Sequence, residues 1–189
     1  MKINAIVMAS GLSKRMGENK MFLDFKGKEL YQHSLDLLKE LDFADVIVVS
    51  SYKEILEKAE QMGYKAVYND DNEVGKSSSI RLGVNECLDE AMMFFVADQP
   101  LLSLETCKKL INTYEKNQVI TYPVVNDRRG APVIFPNSYK EELLKLEGDQ
   151  GGMILAYNQE VNKVEIADES ELLDIDTVKT YEDLRNKYE

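Results

Sequence analysis

The segment INAIVMASGLSKRMGENK, residues 3–20, decides the fold class, because it joins an apolar run to a polar loop. Residues 3–9 are almost continuously apolar, which is typical of a central parallel strand buried on both faces. A membrane-spanning helix needs about 20 apolar residues and a signal peptide needs a small-residue cleavage site; this run has neither. The segment therefore predicts a buried strand that opens into a loop.

The rest of the chain repeats this alternation between short apolar runs and helical periodicity. Further strands are predicted over residues 46–50, 65–68, 92–97, 119–122, 132–135 and 161–166. Helices are predicted over 28–41, 52–62, 139–146, 151–157 and 178–188. Ser77–Ser79 are predicted to form the N-cap region of another helix, and a further helix begins at Ser103. Such alternation implies a mostly parallel sheet with helices on both faces. Ligands in these sheets bind beyond the carboxyl ends of the strands, which directs attention to loops 10–20, 69–79 and 98–103.

Composition and charge restrict the classes of function. A chain of 189 residues suits one α/β domain over residues 1–189, and 44% hydrophobic residues are ordinary for a globular protein. The net charge of −11 argues against a broad basic surface for nucleic acid, but not against a small basic pocket for a nucleotide. Cys87 and Cys107 form no CxxC pair, as expected of a reduced cytoplasmic protein. We therefore expect a soluble, cytoplasmic protein with neither a nucleic-acid nor a membrane partner.

The loop after the first strand carries the strongest chemical signal. Gly11 and Gly17 allow the backbone to approach a phosphate and to direct N–H groups towards it. Arg15 offers a planar fork of donors and Lys20 a mobile charge, and a triphosphate with about four negative charges needs several cations. The spacing matches neither a P-loop nor a dinucleotide-binding fingerprint. A polar, basic surface loop is the alternative interpretation.

Two acidic positions indicate a metal site. Asp98 directly follows a hydrophobic strand, where a carboxylate can bind Mg²⁺ and neutralise the charge of a phosphate chain. Near the C-terminus, the alternation of Asp174, Ile175 and Asp176 sends both carboxylates to one face of an extended segment. Each position has a structural alternative, because Asp98 and Asp176 could instead cap the helices that follow them.

These motifs resemble those of the GT-A-type nucleotidyltransferases. The family loop is commonly Leu-Ala-Ala-Gly-x-Ser-x-Arg-Met-Gly-x-x-Lys, and residues 8–20 are similar to it, with Ser10 in place of alanine or glycine. Residues 97–100, Ala-Asp-Gln-Pro, resemble the family's Gly-Asp-Gln-Pro, and residues 174–177 resemble its Asp-Ile-Asp-Thr. The most similar branch is that of the molybdenum cofactor cytidylyltransferases and guanylyltransferases. The resemblance implies a single Rossmann-like, three-layer α/β fold with a mixed, mainly parallel sheet of about seven strands.

The resemblance also implies roles for individual residues. Catalysis falls to Lys20, Arg15 and Asp98, and metal binding to Asp98 and Asp176. The implied nucleotide-binding residues are Ala9, Ser10, Gly11, Ser13, Arg15, Lys20, Asn69, Gly75 and Ser78. The implied acceptor-side residues are Gly130, Pro132 and Asp149, with Ala131 where the family usually has histidine. A plain capped helix is the alternative for segment 69–79, and a helix cap is the alternative for Asp149.

The reaction implied by the resemblance is Mg²⁺-dependent transfer of a nucleoside monophosphate from an NTP to a phosphorylated acceptor, with release of pyrophosphate. CTP and molybdopterin are the implied substrates, and a molybdenum hydroxylase is an implied recipient of the product. One alternative is an enzyme of the same fold that uses GTP, or a sugar or polyol phosphate. The other is a non-catalytic module that binds a nucleotide or cofactor. Retention of both carboxylates and of Lys20 argues against that module.

Overall fold

The computed structural model describes residues 2–11, 13, 16–17 and 19–188, and a mixed β-sheet lies at its centre. The strands are β1 (Ile3–Met8), β2 (Asp24–Phe25), β3 (Lys28–Glu29), β4 (Val46–Ser50), β5 (Lys65–Tyr68), β6 (Ala91–Val96), β7 (Ile120–Val125), β8 (Arg128–Arg129), β9 (Val133–Phe135) and β10 (Val161–Glu165). The sheet runs in the order β10-β7-β9-β6-β1-β4-β5, with β8 paired to β7, and β2 and β3 form a separate hairpin. Only β8 and β9 run antiparallel to their neighbours among these described strands of the large sheet. The predicted mixed, mainly parallel sheet is confirmed.

Helices cover both faces of the sheet. They are α1 (Leu30–Leu38), α2 (Lys53–Gln61), α3 (Lys76–Asn85), α4 (Leu104–Asn117), α5 (Lys140–Leu144) and α6 (Val178–Tyr188). Ala5 and Val7 of β1 pack in one cluster with α1, α2 and α4, whereas Ile6 packs in another with α3 and α5. Because successive side chains of a strand point to opposite faces, burial on both sides explains why β1 is apolar along most of its length. None of the described helices combines the length and the apolar composition that crossing a bilayer requires.

The predicted start of the first helix at Lys28 is wrong. Lys28 pairs with Phe25 in the β2–β3 hairpin, and α1 begins at Leu30. A two-residue strand carries too short a pattern to be detected by periodicity, so the helical spacing of the following residues concealed it. The hairpin extends the first loop and packs Phe25 and Leu30 in a small cluster with Leu184 of α6.

The prediction that Ser77–Ser79 cap the third helix is also wrong. The helix α3 begins at Lys76, and Gly75 occupies the N-cap position with φ of 119°. All three serines are buried inside the first turns of the helix. A run of serines predicts a cap because the hydroxyl can accept from a backbone N–H, but here burial against neighbouring loops decides their position.

Three loops converge at the carboxyl edge of the parallel strands. They follow β1, β5 and β6 and begin at residues 9, 69 and 97. The C-terminal segment joins them, because the Ile175 N–H donates to the Asp98 carbonyl oxygen at 3.1 Å. Residues that are distant in the sequence therefore meet at the edge where open α/β sheets bind their ligands.

Candidate functional site

A cleft of about 590 Å³ opens at this edge of the sheet. Its wall includes described residues of loop 10–20 after β1, which we call the glycine loop, and the start of α3. The loop after β6 and the C-terminal segment 174–176 complete it. Of the residues predicted to bind nucleotide or metal, those that line it are Ser10, Gly11, Ser13, Lys20, Gly75, Asp98 and Asp176. Asp149, predicted on the acceptor side, lines the same cleft. Arg15, predicted to hold phosphates, lies outside the described residues.

Local hydrogen bonds fix Lys20 in the wall of this cleft. The Asn19 side chain accepts from the Met21 N–H at 3.1 Å and so caps the short 3₁₀ turn that begins at Lys20. The Ser13 hydroxyl accepts from the Lys20 N–H at 3.0 Å, which ties the glycine loop to that turn. Only 8% of the Lys20 side chain is exposed, so the loop presents a buried cation to the cleft.

The Lys20 ammonium group joins two carboxylates that are far apart in the sequence. It forms an ion pair with Asp98 and donates to Asp176 Oδ1 at 2.8 Å. Burial by itself would lower the pKa of Lys20, but the two carboxylates outweigh burial and raise this pKa above its ordinary value. Lys20 therefore stays protonated, and the structure brings Asp98 and Asp176 together around one cation.

Asp174 adds a further carboxylate to the cleft. Gln99 Nε2 donates to Asp174 Oδ1 at 2.8 Å and fixes the position of this side chain. Burial raises the pKa of Asp174, and the neighbouring charges of Asp98 and Asp176 raise it further. Carboxylates crowded in this way repel one another, so a bound cation favours their ionised forms.

Three residues predicted to bind nucleotide lie behind the cleft wall instead of in it. Asn69 is fully buried, and its amide group donates to the hydroxyls of Ser78 and Ser79 at 3.0 Å each. The Asn69 oxygen accepts from the Asp71 N–H at 3.1 Å, so its polar groups are engaged within the protein. Ala9 is also fully buried. In this structure Asn69 and Ser78 hold the start of α3 in place, whereas Ser79 lines the cleft.

A second cleft of about 420 Å³, which we call the adjoining cleft, lies next to the first. The residues that line both clefts and form their shared wall are Met8, Lys76, Val96 and Asp174. Gly130, predicted on the acceptor side, lines the adjoining cleft. Pro132 comes shortly after Gly130 in the chain but is not one of the lining residues of either cleft.

The sequence alone gave no role to three polar residues of this region. Lys76 lies on the shared wall, and Gln99 and Arg128 line the adjoining cleft. Gln99 belongs to the Asp-Gln-Pro motif, so its position beside Asp98 was an available signal. Lys76 is an isolated cation and Arg128 is one of two adjacent arginines in polar segments, and only the fold shows that they face the same space.

The family of the chain follows from a match over most of its length. Residues 5–163 match a model of the MobA-like NTP transferase domain. The chain belongs to this family. The matched range of the MobA-like domain includes the glycine loop, α3 and Asp98, whereas Asp176 lies beyond it. The resemblance predicted from the motifs is confirmed.

Curated relatives of this MobA-like chain include both kinds of molybdenum cofactor nucleotidyltransferase. The chain is 28% identical to a probable molybdenum cofactor guanylyltransferase of Natranaerobius thermophilus, over 66% of this chain and 61% of that protein. It is 26% identical to the molybdenum cofactor cytidylyltransferase of Escherichia coli, over 98% of this chain and 97% of that protein. The match therefore spans less than two thirds of the guanylyltransferase but nearly all of the cytidylyltransferase.

Solved structures show the same fold. The structure of Rv0371c from Mycobacterium tuberculosis superposes with a TM-score of 0.87 at 22% sequence identity, covering 98% of this chain and 99% of that one. A complex of Rv0371c with manganese superposes with a TM-score of 0.83 at 21% identity, covering 98% and 99% of the two chains. At these identities the likeness establishes the MobA-like fold alone.

Proposed function

We propose that this protein is a nucleotidyltransferase that moves a nucleoside monophosphate from an NTP to molybdopterin and releases pyrophosphate. The observation that carries the proposal is the arrangement of Lys20 between Asp98 and Asp176 beside a glycine loop. This arrangement places a buried cation and two carboxylates at the carboxyl edge of the sheet, where a phosphate chain binds in open α/β folds. Membership of the MobA-like family supports the same activity.

The chemistry needs positioning and charge stabilisation more than proton transfer. A phosphate oxygen of the acceptor attacks the α-phosphorus of the NTP, and the bond from that phosphorus to the bridging oxygen breaks, so that pyrophosphate leaves. The acceptor phosphate is already ionised at neutral pH, and no strong general base is required. The protonated Lys20 supplies a fixed positive charge close to the phosphate chain, where negative charge develops on the leaving group.

The residues of the cleft fit a divalent cation, which we propose to be Mg²⁺. Asp98 Oδ1 is buried and has no hydrogen-bond donor among the described residues, so it offers a free oxygen lone pair. Asp176 contributes a second carboxylate. Within the described residues no set of three acidic, histidine or cysteine side chains has the arrangement of a complete metal site. Mg²⁺ suits this pattern, because proteins commonly hold it with one or two carboxylates together with substrate phosphates and water.

When bound, this cation would neutralise charge on the triphosphate and on the departing pyrophosphate. Asp98 and Asp176 would hold it, and Lys20 would balance the remaining charge of the phosphates. The manganese complex of Rv0371c shows that a protein of this fold binds a divalent cation, and it supports a cation here only by analogy.

We propose CTP as the nucleotide. The supporting observation is that the E. coli cytidylyltransferase matches over 98% of this chain, whereas the N. thermophilus guanylyltransferase matches over 66%. Ser10, which lines the cleft, replaces the alanine or glycine of the two related branches, and GTP is therefore the competing nucleotide in any test. The recipient of the product would be a molybdenum hydroxylase.

A panel of nucleotides tests this function. The purified protein is incubated with molybdopterin and with CTP, GTP, ATP or UTP, each with Mg²⁺ and with EDTA, and pyrophosphate release is measured. We expect release with CTP and Mg²⁺ that requires molybdopterin. Release with GTP but not with CTP would show that GTP is the nucleotide substrate of the same reaction. No release with any nucleotide would refute the transferase proposal.

A further inference from the structure

The two clefts differ in the balance of charge on their described walls. The cleft of about 590 Å³, which we call the nucleotide cleft after its proposed ligand, has two lysines, Lys20 and Lys76, against five carboxylates, Glu73, Asp98, Asp149, Asp174 and Asp176. The adjoining cleft has three cations, Lys76, Arg128 and Arg129, against the single carboxylate of Asp174. The first balance suits a phosphate chain that brings a divalent cation, whereas the second suits an anion that brings none.

The three cations of the adjoining cleft contrast with the negative net charge of the whole chain. The net charge is −11, so a group of three cations facing one cavity is not the ordinary surface of this protein. The floor of the same cavity is apolar and includes Ile80, Phe94 and Phe135. A cavity with an apolar floor and a few polar groups at its margin is the common form of a small-molecule site. The ligand it fits carries an anionic group and a ring or another apolar surface.

Lys76 lies where the two clefts meet. It is the first residue of α3, is exposed, and lines both clefts. No hydrogen bond or ion pair joins it to another of the described residues. By contrast, the Lys20 ammonium group is already shared between Asp98 and Asp176. Lys76 is therefore the lysine whose charge is available to a ligand at the junction.

Gln99 provides a second, independent indication that the adjoining cleft holds a ligand. Gln99 is 3% exposed and lines this cleft. The amide nitrogen donates to Asp174, whereas Oε1 has no hydrogen-bond donor among the described residues. A buried acceptor without a donor is costly, and beside a cavity it indicates a ligand that supplies an N–H or O–H group.

We propose that Lys76 is a positioning residue for the acceptor, and that its ammonium group holds the acceptor phosphate at the junction of the two clefts. The inference rests on the proposed transferase function and specifies its acceptor: a phosphate monoester whose remaining part is a ring system with hydrogen-bond donors. Arg128 and Arg129 add positive charge to the cleft, and Gln99 accepts from the ring. The phosphate is then held beside the nucleotide cleft, where its oxygen can reach the α-phosphorus.

The test compares Lys76→Met with Lys76→Arg in the full chain. Lys53→Met is the matched control, because Lys53 is likewise exposed and is the first residue of its helix, α2, but lines neither cleft. Steady-state pyrophosphate release is measured while molybdopterin and the NTP are varied separately. We expect Lys76→Met to raise KM for molybdopterin about 10- to 100-fold, as the loss of a charged hydrogen bond does, and KM for the NTP less than about twofold. We expect Lys76→Arg to keep KM for molybdopterin close to the wild-type value, because the positive charge is retained. Lys53→Met should have the same KM values as the wild type.

Binding without turnover separates this inference from the proposed function. The dissociation constant of molybdopterin is measured by its pterin fluorescence for the wild type and for each variant, with no NTP present. A rise of about 10- to 100-fold in this dissociation constant for Lys76→Met, but not for Lys76→Arg or Lys53→Met, supports the inference, even in a preparation that releases no pyrophosphate. An unchanged dissociation constant with an unchanged KM for molybdopterin overturns the inference while leaving the transferase proposal intact. A rise confined to KM for the NTP also overturns it, because Lys76 would then serve the nucleotide.

Discussion

Replacement of Lys20 by methionine gives the sharpest physical test of the site in the absence of substrates. In the wild type the Lys20 side chain is 8% exposed and its partner Asp98 is 14% exposed, so both charges of this ion pair are buried. Removal of one partner of a buried pair costs about 3–5 kcal/mol, because the other charge stays buried without compensation. Asp176 is 42% exposed and its pairing with Lys20 adds less than about 1 kcal/mol.

We therefore expect Lys20→Met to lower the free energy of unfolding by about 3 kcal/mol near neutral pH. For a chain of 189 residues, this loss corresponds to a fall in Tm of about 6–12 °C. The control is Lys28→Met, which removes an ion pair to Asp36 at 2.5 Å whose side chains are 49% and 34% exposed. An exposed pair contributes less than about 1 kcal/mol, so the control should unfold close to the wild type.

The loss caused by Lys20→Met should depend on pH. The charge of Lys20 lowers the pKa of Asp174, which burial and the neighbouring carboxylates raise, so its removal places the folded-state pKa of Asp174 further above the unfolded value, and the variant gains stability when Asp174 takes up a proton. That gain is complete below the unfolded pKa and disappears as the pH rises through the folded pKa. In the wild type the pKa of Lys20 is raised above its ordinary value, so the stability from its ammonium group stays complete below the unfolded pKa. The stability difference should thus be larger at about pH 8 than at about pH 5.

Urea unfolding followed by far-ultraviolet circular dichroism, in EDTA and without nucleotide, measures these differences. A loss for Lys20→Met no larger than that for Lys28→Met at either pH would refute the claim that a buried ion pair forms the centre of the cleft.

Two further substitutions test how the start of α3 is held. Gly75→Ala should cost about 3 kcal/mol in urea unfolding, because φ is 119° and the new Cβ would lie 2.7 Å from the Gly148 oxygen. The control is Gly63→Ala, with φ of 79° and no atom within 4 Å of its Cβ, which should cost about 1 kcal/mol. Equal losses for the two variants would contradict the close approach of Gly75 to Gly148. Asn69→Ala should lower stability by about 2 kcal/mol, because it removes buried hydrogen bonds to Ser78 and Ser79. A stable Asn69→Ala variant with weakened nucleotide binding would show instead that Asn69 contacts the nucleotide.

The sheet was predictable from the sequence because its central strands are buried on both faces. Nearly continuous apolar runs such as Ile3–Met8 and Val46–Ser50 are distinctive, and alternation with helices indicates a parallel arrangement. The position of the site was predictable for a related reason. Ligands bind at the carboxyl edges of such sheets, and the loops at this edge carry Lys20 and Asp98. Those loops do meet in the structure.

Other features depend on tertiary contacts that leave little trace in the sequence. The β2–β3 hairpin has two residues in each strand, and nothing in so short a segment distinguishes a strand from the start of a helix. Asn69 was predicted to face a nucleotide because of its motif, but its partners are serines of α3 that only the fold brings close. The adjoining cleft is similar, since Lys76 and Arg128 are 52 positions apart (128 − 76) and share a cavity only after folding.

Pyrophosphate release by carboxylate variants tests the central claim most directly. The rate with CTP and molybdopterin is measured over a range of Mg²⁺ concentrations for the wild type, for Asp98→Asn and for Asp89→Asn, whose side chain is 87% exposed and outside both clefts. We predict a Mg²⁺-dependent rate for the wild type and for Asp89→Asn, and a fall of at least about 100-fold for folded Asp98→Asn. A folded Asp98→Asn protein that kept the wild-type rate and the wild-type dependence on Mg²⁺ would contradict the account.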